Sequence, residues 1–116
     1  MKGFRSSAFR AVVALFMTAG APVALATTGT ATGTIQRIYT YGDGSVLVTG
    51  FYFAGATCTN NSAFYIQGTH PQFARLMAVI LAAKTSGATL AVTAQTNSCW
   101  YPQIGTDGST YISIEP

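Results

Sequence analysis

Runs of β-branched and aromatic residues alternate with glycine-rich segments along much of the chain, and this pattern predicts strands joined by turns. Residues 34–41 (TIQRIYTY) and 46–53 (VLVTGFYF) are two such runs, and their composition favours extended structure. The Gly-Asp-Gly-Ser segment at 42–45 between them is typical of a tight turn. The two runs are therefore predicted to pair as a β-hairpin. Gly50 interrupts the second run, which indicates a bulge or a close approach of another backbone segment.

A helical period replaces the strand pattern in the middle of the chain. Apolar side chains recur at the spacing of one helix face, at Phe73, Leu76, Met77, Ile80 and Leu81. Thr69 and Gln72 have the spacing of a capping box, and Pro71 suits a first helical turn. Gly87 is typical of a helix end. The pattern predicts one amphipathic helix over about residues 70–86.

Shorter runs surround this helix and decide the predicted fold class. Residues 63–67 predict a third strand before the helix, and residues 88–95, 100–104 and 110–114 predict three strands after it. One helix between the third and fourth strands is the arrangement of an OB-type barrel, and an open antiparallel sheet with the helix on one face is the alternative. A parallel α/β fold is excluded because only one helix is available for crossovers. The predicted class is therefore mostly β or α+β, a small antiparallel OB-like barrel or sheet.

The N-terminal pattern differs from the rest and predicts a cleavable secretory signal peptide at residues 1–26. Three basic residues accompany an apolar run at 11–19, and Ala24–Ala26 places small residues where signal peptidase reads the chain. The apolar run is too short to span a bilayer, which needs about 20 residues. We therefore expect export to the periplasm or beyond, with no membrane anchor after cleavage.

Two segments follow the leader in this interpretation. Residues 27–33 (TTGTATG) are small, polar and low in complexity, so we expect a flexible lead-in. Residues 34–116 are expected to form a single domain. Its two cysteines, Cys58 and Cys99, predict one disulfide in an exported protein, which should stabilise the fold by about 4 kcal/mol.

Charge excludes one class of partner. The chain carries a net charge of +3, but this excess lies in the leader. The remaining charged residues balance: Arg37, Arg75 and Lys84 against Asp43, Asp107 and Glu115. We expect no nucleic-acid partner, because such binding needs a basic surface.

Catalysis, metals and cofactors are not expected. His70 is the single histidine, and it stands at the predicted helix start. Asp43 and Asp107 each begin an Asp-Gly-Ser turn, where aspartate usually bonds to its own backbone. Nothing in the pattern brings these groups together as a catalytic triad or a carboxylate pair, and the two turns lack the many oxygen ligands that calcium needs.

Aromatic residues are the main enrichment. Both faces of the run at 46–53 carry bulky side chains, and a domain this small cannot bury both. Tyrosine and tryptophan give amphipathic contact area in binding sites. The candidate surface for a glycan or protein ligand comprises Trp100, Tyr101, Tyr39, Tyr41 and Tyr52. The alternative is that a core and ordinary surface tyrosines account for the enrichment, with Trp100 packed on the disulfide.

The second face of the predicted helix is apolar but small. It carries Ala74, Ala78, Val79 and Ala82, where a solvated helix usually carries charges. One interpretation is an interface in a homo-oligomer. The other is that alanine is simply a good helix former.

Residues 69–92 combine a His-Pro start, a Leu/Ala-rich helix ending Lys-Thr-Ser-Gly, and a strand that leads towards a cysteine. This run resembles a group of short uncharacterised exported proteins of Gram-negative bacteria, which implies a periplasmic or secreted bacterial protein. The element order also resembles the B subunits of AB5 toxins, disulfide-bearing OB-fold domains that form pentameric rings and bind host glycans. The cysteines depart from the cholera-type subunits, where one precedes the sheet.

These patterns together predict a non-catalytic secreted or periplasmic binding module. Its ligand is expected to be a glycan or a protein, and its second helix face allows an oligomer. The alternative is a periplasmic protein-interaction domain, such as an inhibitor or an envelope accessory factor.

Overall fold

A computed structural model describes residues 27–116, so the predicted signal peptide lies outside the described residues. Within this range the chain forms β1 (Thr28–Gly33), β2 (Arg37–Thr40), β3 (Val46–Thr49), β4 (Ala63–Ile66), α1 (Phe73–Ser86), β5 (Leu90–Gln95) and β6 (Tyr111–Ile114). The protein is thus mostly β with one helix in this part. No helix between residues 27 and 116 is long and apolar enough to cross a membrane.

The strands form two three-stranded antiparallel sheets, β1-β5-β6 and β2-β3-β4. The predicted hairpin is confirmed, since β2 pairs with β3 and places Tyr39 opposite Leu47. Strand β4 pairs with the other edge of β3 and places Tyr65 opposite Leu47 as well. In the hairpin turn, the amide of Ser45 donates to Oδ1 of Asp43 at 2.9 Å, as expected for an aspartate turn.

Strand β1 replaces the flexible lead-in predicted at residues 27–33. It pairs with β5 along its whole length, from Thr28 opposite Gln95 to Gly33 opposite Leu90, and Ala31 is buried in the core. Because this segment adds a strand, α1 follows the fourth strand, and its predicted place between the third and fourth strands is wrong. The short Thr/Gly/Ala run lacks an apolar alternation of its own and gains its structure from the edge of β5.

The predicted strand at 100–104 is reduced to one residue, and the named strands form no closed barrel in the part of the chain described. Gln103 makes a parallel bridge to Tyr65 of β4 and an antiparallel bridge to Gln95 of β5. Pro102 precedes it and has no N–H to donate, although its carbonyl accepts the amide of Tyr65 at 2.8 Å. A single bridging residue therefore links the two sheets where a full strand was expected.

Gly50 confirms the predicted close approach of two backbone segments. Its φ is +113°, and a Cβ there would clash with the carbonyl oxygen of Thr34. Strand β3 accordingly ends at Thr49 rather than continuing to residue 53. Phe51 and Phe53 still turn into the core, whereas Tyr52 stays exposed.

The core lies between the two sheets and one face of α1. It includes Val46, Val48, Phe64 and Ile66 from one sheet, Leu90, Val92 and Ala94 from the other, and Ile80 and Ala83 from the helix. The predicted apolar helix stripe is correct at buried Ile80 and at Phe73, Leu76 and Met77, which pack against the core, but Leu81 is 51% exposed. Burial of such aliphatic and aromatic side chains contributes about 1.5–3 kcal/mol each.

Helix α1 begins at Phe73 rather than near residue 70, and the predicted capping box does not form. Gln72 occupies the N-cap without a side-chain bond. Nδ1 of His70 accepts the Gln72 amide at 2.9 Å instead. Gly87 ends the helix in the left-handed conformation, as predicted.

Candidate functional site

The outer face of sheet β2-β3-β4 carries a row of large side chains. Residues directly opposite each other on neighbouring strands project to the same face, so Tyr39, Leu47 and Tyr65 share one face. The neighbouring residues Val48 and Phe64 project from the opposite face of the sheet into the core. Leu47 is 4% exposed although it lies outside the main core, so this outer face is covered at its centre.

Three further aromatic rings join Tyr65 at the edge of this row. Trp100 lies 5.5 Å from Tyr65 at 75°, 4.7 Å from Tyr101 at 75° and 6.1 Å from Tyr41 at 56°, measured between ring centroids. The pairs with Tyr65 and Tyr101 are edge-to-face, a favourable geometry for aromatic rings, and the pair with Tyr41 is tilted. We call Tyr41, Tyr65, Trp100 and Tyr101 the aromatic platform. Its central tryptophan remains 50% exposed, so the platform presents an indole to solvent.

The backbone that carries Trp100 is held from several directions. Cys99 is joined to Cys58 by the predicted disulfide, which is confirmed. The amide of Thr59 donates to the Cys99 carbonyl at 2.7 Å, and the amide of Asn60 donates to the Trp100 carbonyl at 2.9 Å. The platform is therefore fixed by covalent and backbone contacts, and its tryptophan is not carried on a free loop.

A polar cavity of about 260 Å³ adjoins the platform. It is lined by Asp43, Ser45, Tyr65, Gln67, Gly68 and Thr69. Tyr65 belongs to both features, since its ring contacts Trp100 and its hydroxyl donates to Oγ of Ser45 at 2.8 Å. An apolar surface and a set of hydrogen-bonding groups therefore stand side by side.

Among residues 27–116, the carboxylate of Asp43 supplies the only charge in this cavity lining. A hydrogen bond from the Ser45 backbone amide, together with one from the Ser45 side chain, holds the pKa of Asp43 below its ordinary value. The group is fully exposed, and it is ionised at neutral pH. It can therefore accept hydrogen bonds from a ligand.

The structure brings together three of the five aromatic residues predicted as ligand-binding: Tyr41, Trp100 and Tyr101. Tyr39 lies on the same sheet face, where Nη1 of Arg37 donates to its hydroxyl at 3.2 Å. Tyr52 is 70% exposed and lines a different cavity, with Gln36, Thr49 and Ser62 among its neighbours.

Tyr65 is the site residue that the sequence analysis missed. A usable signal was present, because Tyr65 alternates with Phe64 and Ile66 in a predicted strand, and both of those are fully buried. A period of two places Tyr65 on the opposite, outer face. Its contact with Trp100 depends on chain segments far apart in sequence and carries no local signal.

The residues predicted as an oligomer interface do not all face the same way. Ala74, Ala78 and Ala82 are exposed along α1. Val79 is half-buried and lines a third cavity between the helix and β6.

His70 and Asp107 are both engaged in hydrogen bonds within the protein. His70 is buried, and its Nε2 lies 2.7 Å from the Gly105 carbonyl oxygen, as a donor. Asp107 accepts from the hydroxyl of Ser109 at 2.7 Å and from its amide at 3.0 Å. Among residues 27–116 no group of three His, Cys, Asp or Glu side chains could hold a metal ion.

Comparison with protein-family models, with curated proteins and with solved structures finds no match to the chain. The functional proposal therefore rests on the geometry and chemistry of the residues themselves.

Proposed function

We propose that the protein is an exported, non-catalytic binding module that recognises a glycan. The aromatic platform and the adjacent polar cavity would bind neighbouring parts of one ligand. The observation that carries this proposal is the double role of Tyr65, whose ring contacts Trp100 while its hydroxyl bonds to Ser45 in the cavity wall.

A sugar ring needs both kinds of surface. Its C–H groups form apolar patches that pack on aromatic rings, and its hydroxyls need donors and acceptors at fixed positions. Trp100 offers the aromatic surface, since half of its side chain is exposed. The hydrogen-bonding groups are offered by the cavity, whose lining includes Asp43, Gln67 and Thr69.

Charge favours a neutral glycan. Asp43 is ionised and no cationic side chain of the described residues lines the cavity, so an acidic sugar would meet a like charge there. A neutral sugar can instead donate its hydroxyls to the carboxylate, and bonds to a charged acceptor are the stronger kind.

Rigidity supports the same proposal. The disulfide and the backbone bonds on either side of Trp100 hold the platform in place before any ligand arrives. A preorganised site loses less conformational entropy on binding. The disulfide also indicates a non-reducing compartment, in line with export through the predicted signal peptide to the periplasm or the outside.

We further propose an OB-type relationship for the two sheets. Strands β1 and β2 are separated by residues 34–36 alone and pair with β5 and β3 respectively. Gln103 stands between β4 and β5. Counting β1 and β2 as one interrupted strand, and Gln103 together with β6 as another, gives the strand order of an OB barrel, the fold of the AB5-toxin B subunits that the element order resembles.

An oligomer would complete that resemblance. Of the residues predicted for this interface, Ala74, Ala78 and Ala82 are exposed along α1. We propose that exposed Leu81 takes the place of half-buried Val79 in the surface that contacts a second copy. Several copies would present several platforms, and linked sites raise the overall avidity for a glycan surface.

A glycan array probed with the oxidised protein tests the proposed function. We expect binding to neutral glycans that is lost in Trp100→Ala. Tyr52→Ala is the matched control, because it removes an exposed aromatic side chain outside the platform. Glycan binding that survives in Trp100→Ala, or a blank array together with a protein partner captured through the platform, would contradict the proposal and favour the protein-interaction alternative.

A further inference from the structure

The third cavity, which Val79 lines, lies on a different part of the surface, between the N-terminal half of α1 and the segment Ile104–Ile112. Its volume is about 400 Å³, in the range of small-molecule sites. No residue of the aromatic platform lines it. Any ligand here is therefore separate from the proposed glycan.

Most of the wall is apolar. Leu76 and Val79 contribute from the helix, and Ile104 and Ile112 contribute from the facing segment. Tyr111, which is 57% exposed, stands at the edge. Such a wall favours the hydrocarbon part of a ligand.

One charge enters this apolar lining. Arg75 lines the cavity, and no carboxylate does so in the part of the chain that the structure describes. A guanidinium group binds a carboxylate with two parallel hydrogen bonds. The guanidinium of Arg75 therefore favours a ligand with an anionic group, which would lie at the helix side of the cavity.

The cavity is held open by the protein's own contacts. His70 is 9% exposed. Its Nε2 donates to the Gly105 carbonyl at 2.7 Å, and its Nδ1 accepts the Gln72 amide at 2.9 Å. Oγ1 of Thr110 accepts the Gly105 amide at 2.7 Å. These bonds fix the loop against the helix without a ligand, so the site is preformed.

We infer that this cavity binds the monomeric form of a single-chain amphiphilic carboxylate, such as a medium-chain fatty acid. The hydrocarbon chain lies against Leu76, Val79 and Ile112. The carboxylate pairs with Arg75. This inference goes beyond the proposed glycan binding and stands or falls independently of it.

Titration of the oxidised protein with decanoate, kept below its micelle concentration and followed by amide chemical shifts, tests the inference. Saturable shifts in residues 72–79 and 104–112 are expected. Arg75→Gln should weaken binding by about tenfold, because the charge-assisted pair is lost. Lys84→Gln is the matched control, since it removes the same charge from the same helix at a residue that does not line the cavity, and it should leave the affinity unchanged.

Two further measurements separate this site from non-specific binding. Decanol lacks the charge and should bind the wild type as weakly as decanoate binds Arg75→Gln. Val79→Phe should fill the cavity and abolish the shifts, with circular dichroism confirming that the helix is retained. The inference would be overturned by equal affinities in Arg75→Gln and Lys84→Gln, by shifts confined to the aromatic platform, or by no saturation up to about 10 mM.

Discussion

The hydroxyl of Tyr65 donates a hydrogen bond to Oγ of Ser45 at 2.8 Å. Ser45 is 3% exposed, so this bond satisfies a buried hydroxyl, and it connects the middle of β4 to the turn of the β2-β3 hairpin. Since the ring of Tyr65 contacts Trp100, the same residue sets the spacing between the polar cavity and the aromatic platform.

Tyr65→Phe should therefore destabilise the protein and weaken glycan binding while leaving the platform in place. This change removes the hydroxyl that donates to the buried Oγ of Ser45, and the loss should cost about 1 kcal/mol of unfolding free energy. Urea denaturation measures this cost. Tyr41→Phe is the control, because it removes a hydroxyl from the same platform without touching the Ser45 bond. Equal stabilities of the two variants would contradict the role assigned to the bond.

The disulfide should matter for both the fold and the site. Removing it in Cys58→Ala/Cys99→Ala should lower the unfolding free energy by about 2–5 kcal/mol. Trp100 would then lose the covalent restraint next to it, so glycan affinity should fall more than in Tyr65→Phe. Thermal unfolding and a binding titration at a temperature where the variant is folded check the two effects. A folded variant with unchanged affinity would show that the backbone bonds alone position Trp100.

His70 is expected to support the start of α1 through Nδ1 and the loop at Gly105 through Nε2. His70→Ala should cost about 1–2 kcal/mol of unfolding free energy, in the range of a lost cap plus a buried hydrogen bond. His70→Asn keeps an acceptor for the Gln72 amide. It should therefore recover only the part of the unfolding free energy that the bond to Gln72 contributes. Denaturation of the three proteins measures this. A His70→Asn protein no more stable than His70→Ala would rule out the capping role.

Asp107 offers a prediction about pH. The pKa of Asp107 is lowered mainly by a hydrogen bond from the Ser109 side chain and, to a smaller extent, by one from the Ser109 amide. A carboxyl whose pKa is lowered on folding contributes stability above its unfolded pKa, and this contribution is lost as the pH falls through the folded pKa. Ser109→Ala should therefore raise the pKa of Asp107 towards its ordinary value. NMR titration measures it, with Asp43 as the internal control, whose pKa should not move.

The hairpin, the helix and the disulfide could be predicted because each has a local or compositional signal. The turn at 42–45, the apolar period from Phe73 to Ile80 and the pair Cys58 and Cys99 are visible in the sequence itself. Strand β1 could not be predicted in the same way. Its Thr/Gly/Ala residues carry no alternation, and its partner β5 lies far along the chain.

The candidate site was partly predictable for the same reason. Aromatic enrichment indicated Trp100, Tyr101 and Tyr41, but not that they would meet Tyr65. The separation of Tyr52 from them follows from the end of β3 at Thr49, just before the close backbone approach at Gly50. The polar cavity arises from two loops, and their packing depends on tertiary structure that composition does not encode.

Trp100 is the only tryptophan in the chain, so its fluorescence reports on the proposed site alone. The most direct test is a titration of the oxidised protein with neutral oligosaccharides, followed by tryptophan emission. A glycan that packs on the platform should shift and intensify the emission in a saturable way, because the half-exposed indole loses contact with water. Neutral glycans that bind the protein without changing the emission of Trp100 would contradict the account. The absence of binding by any neutral glycan would contradict it as well.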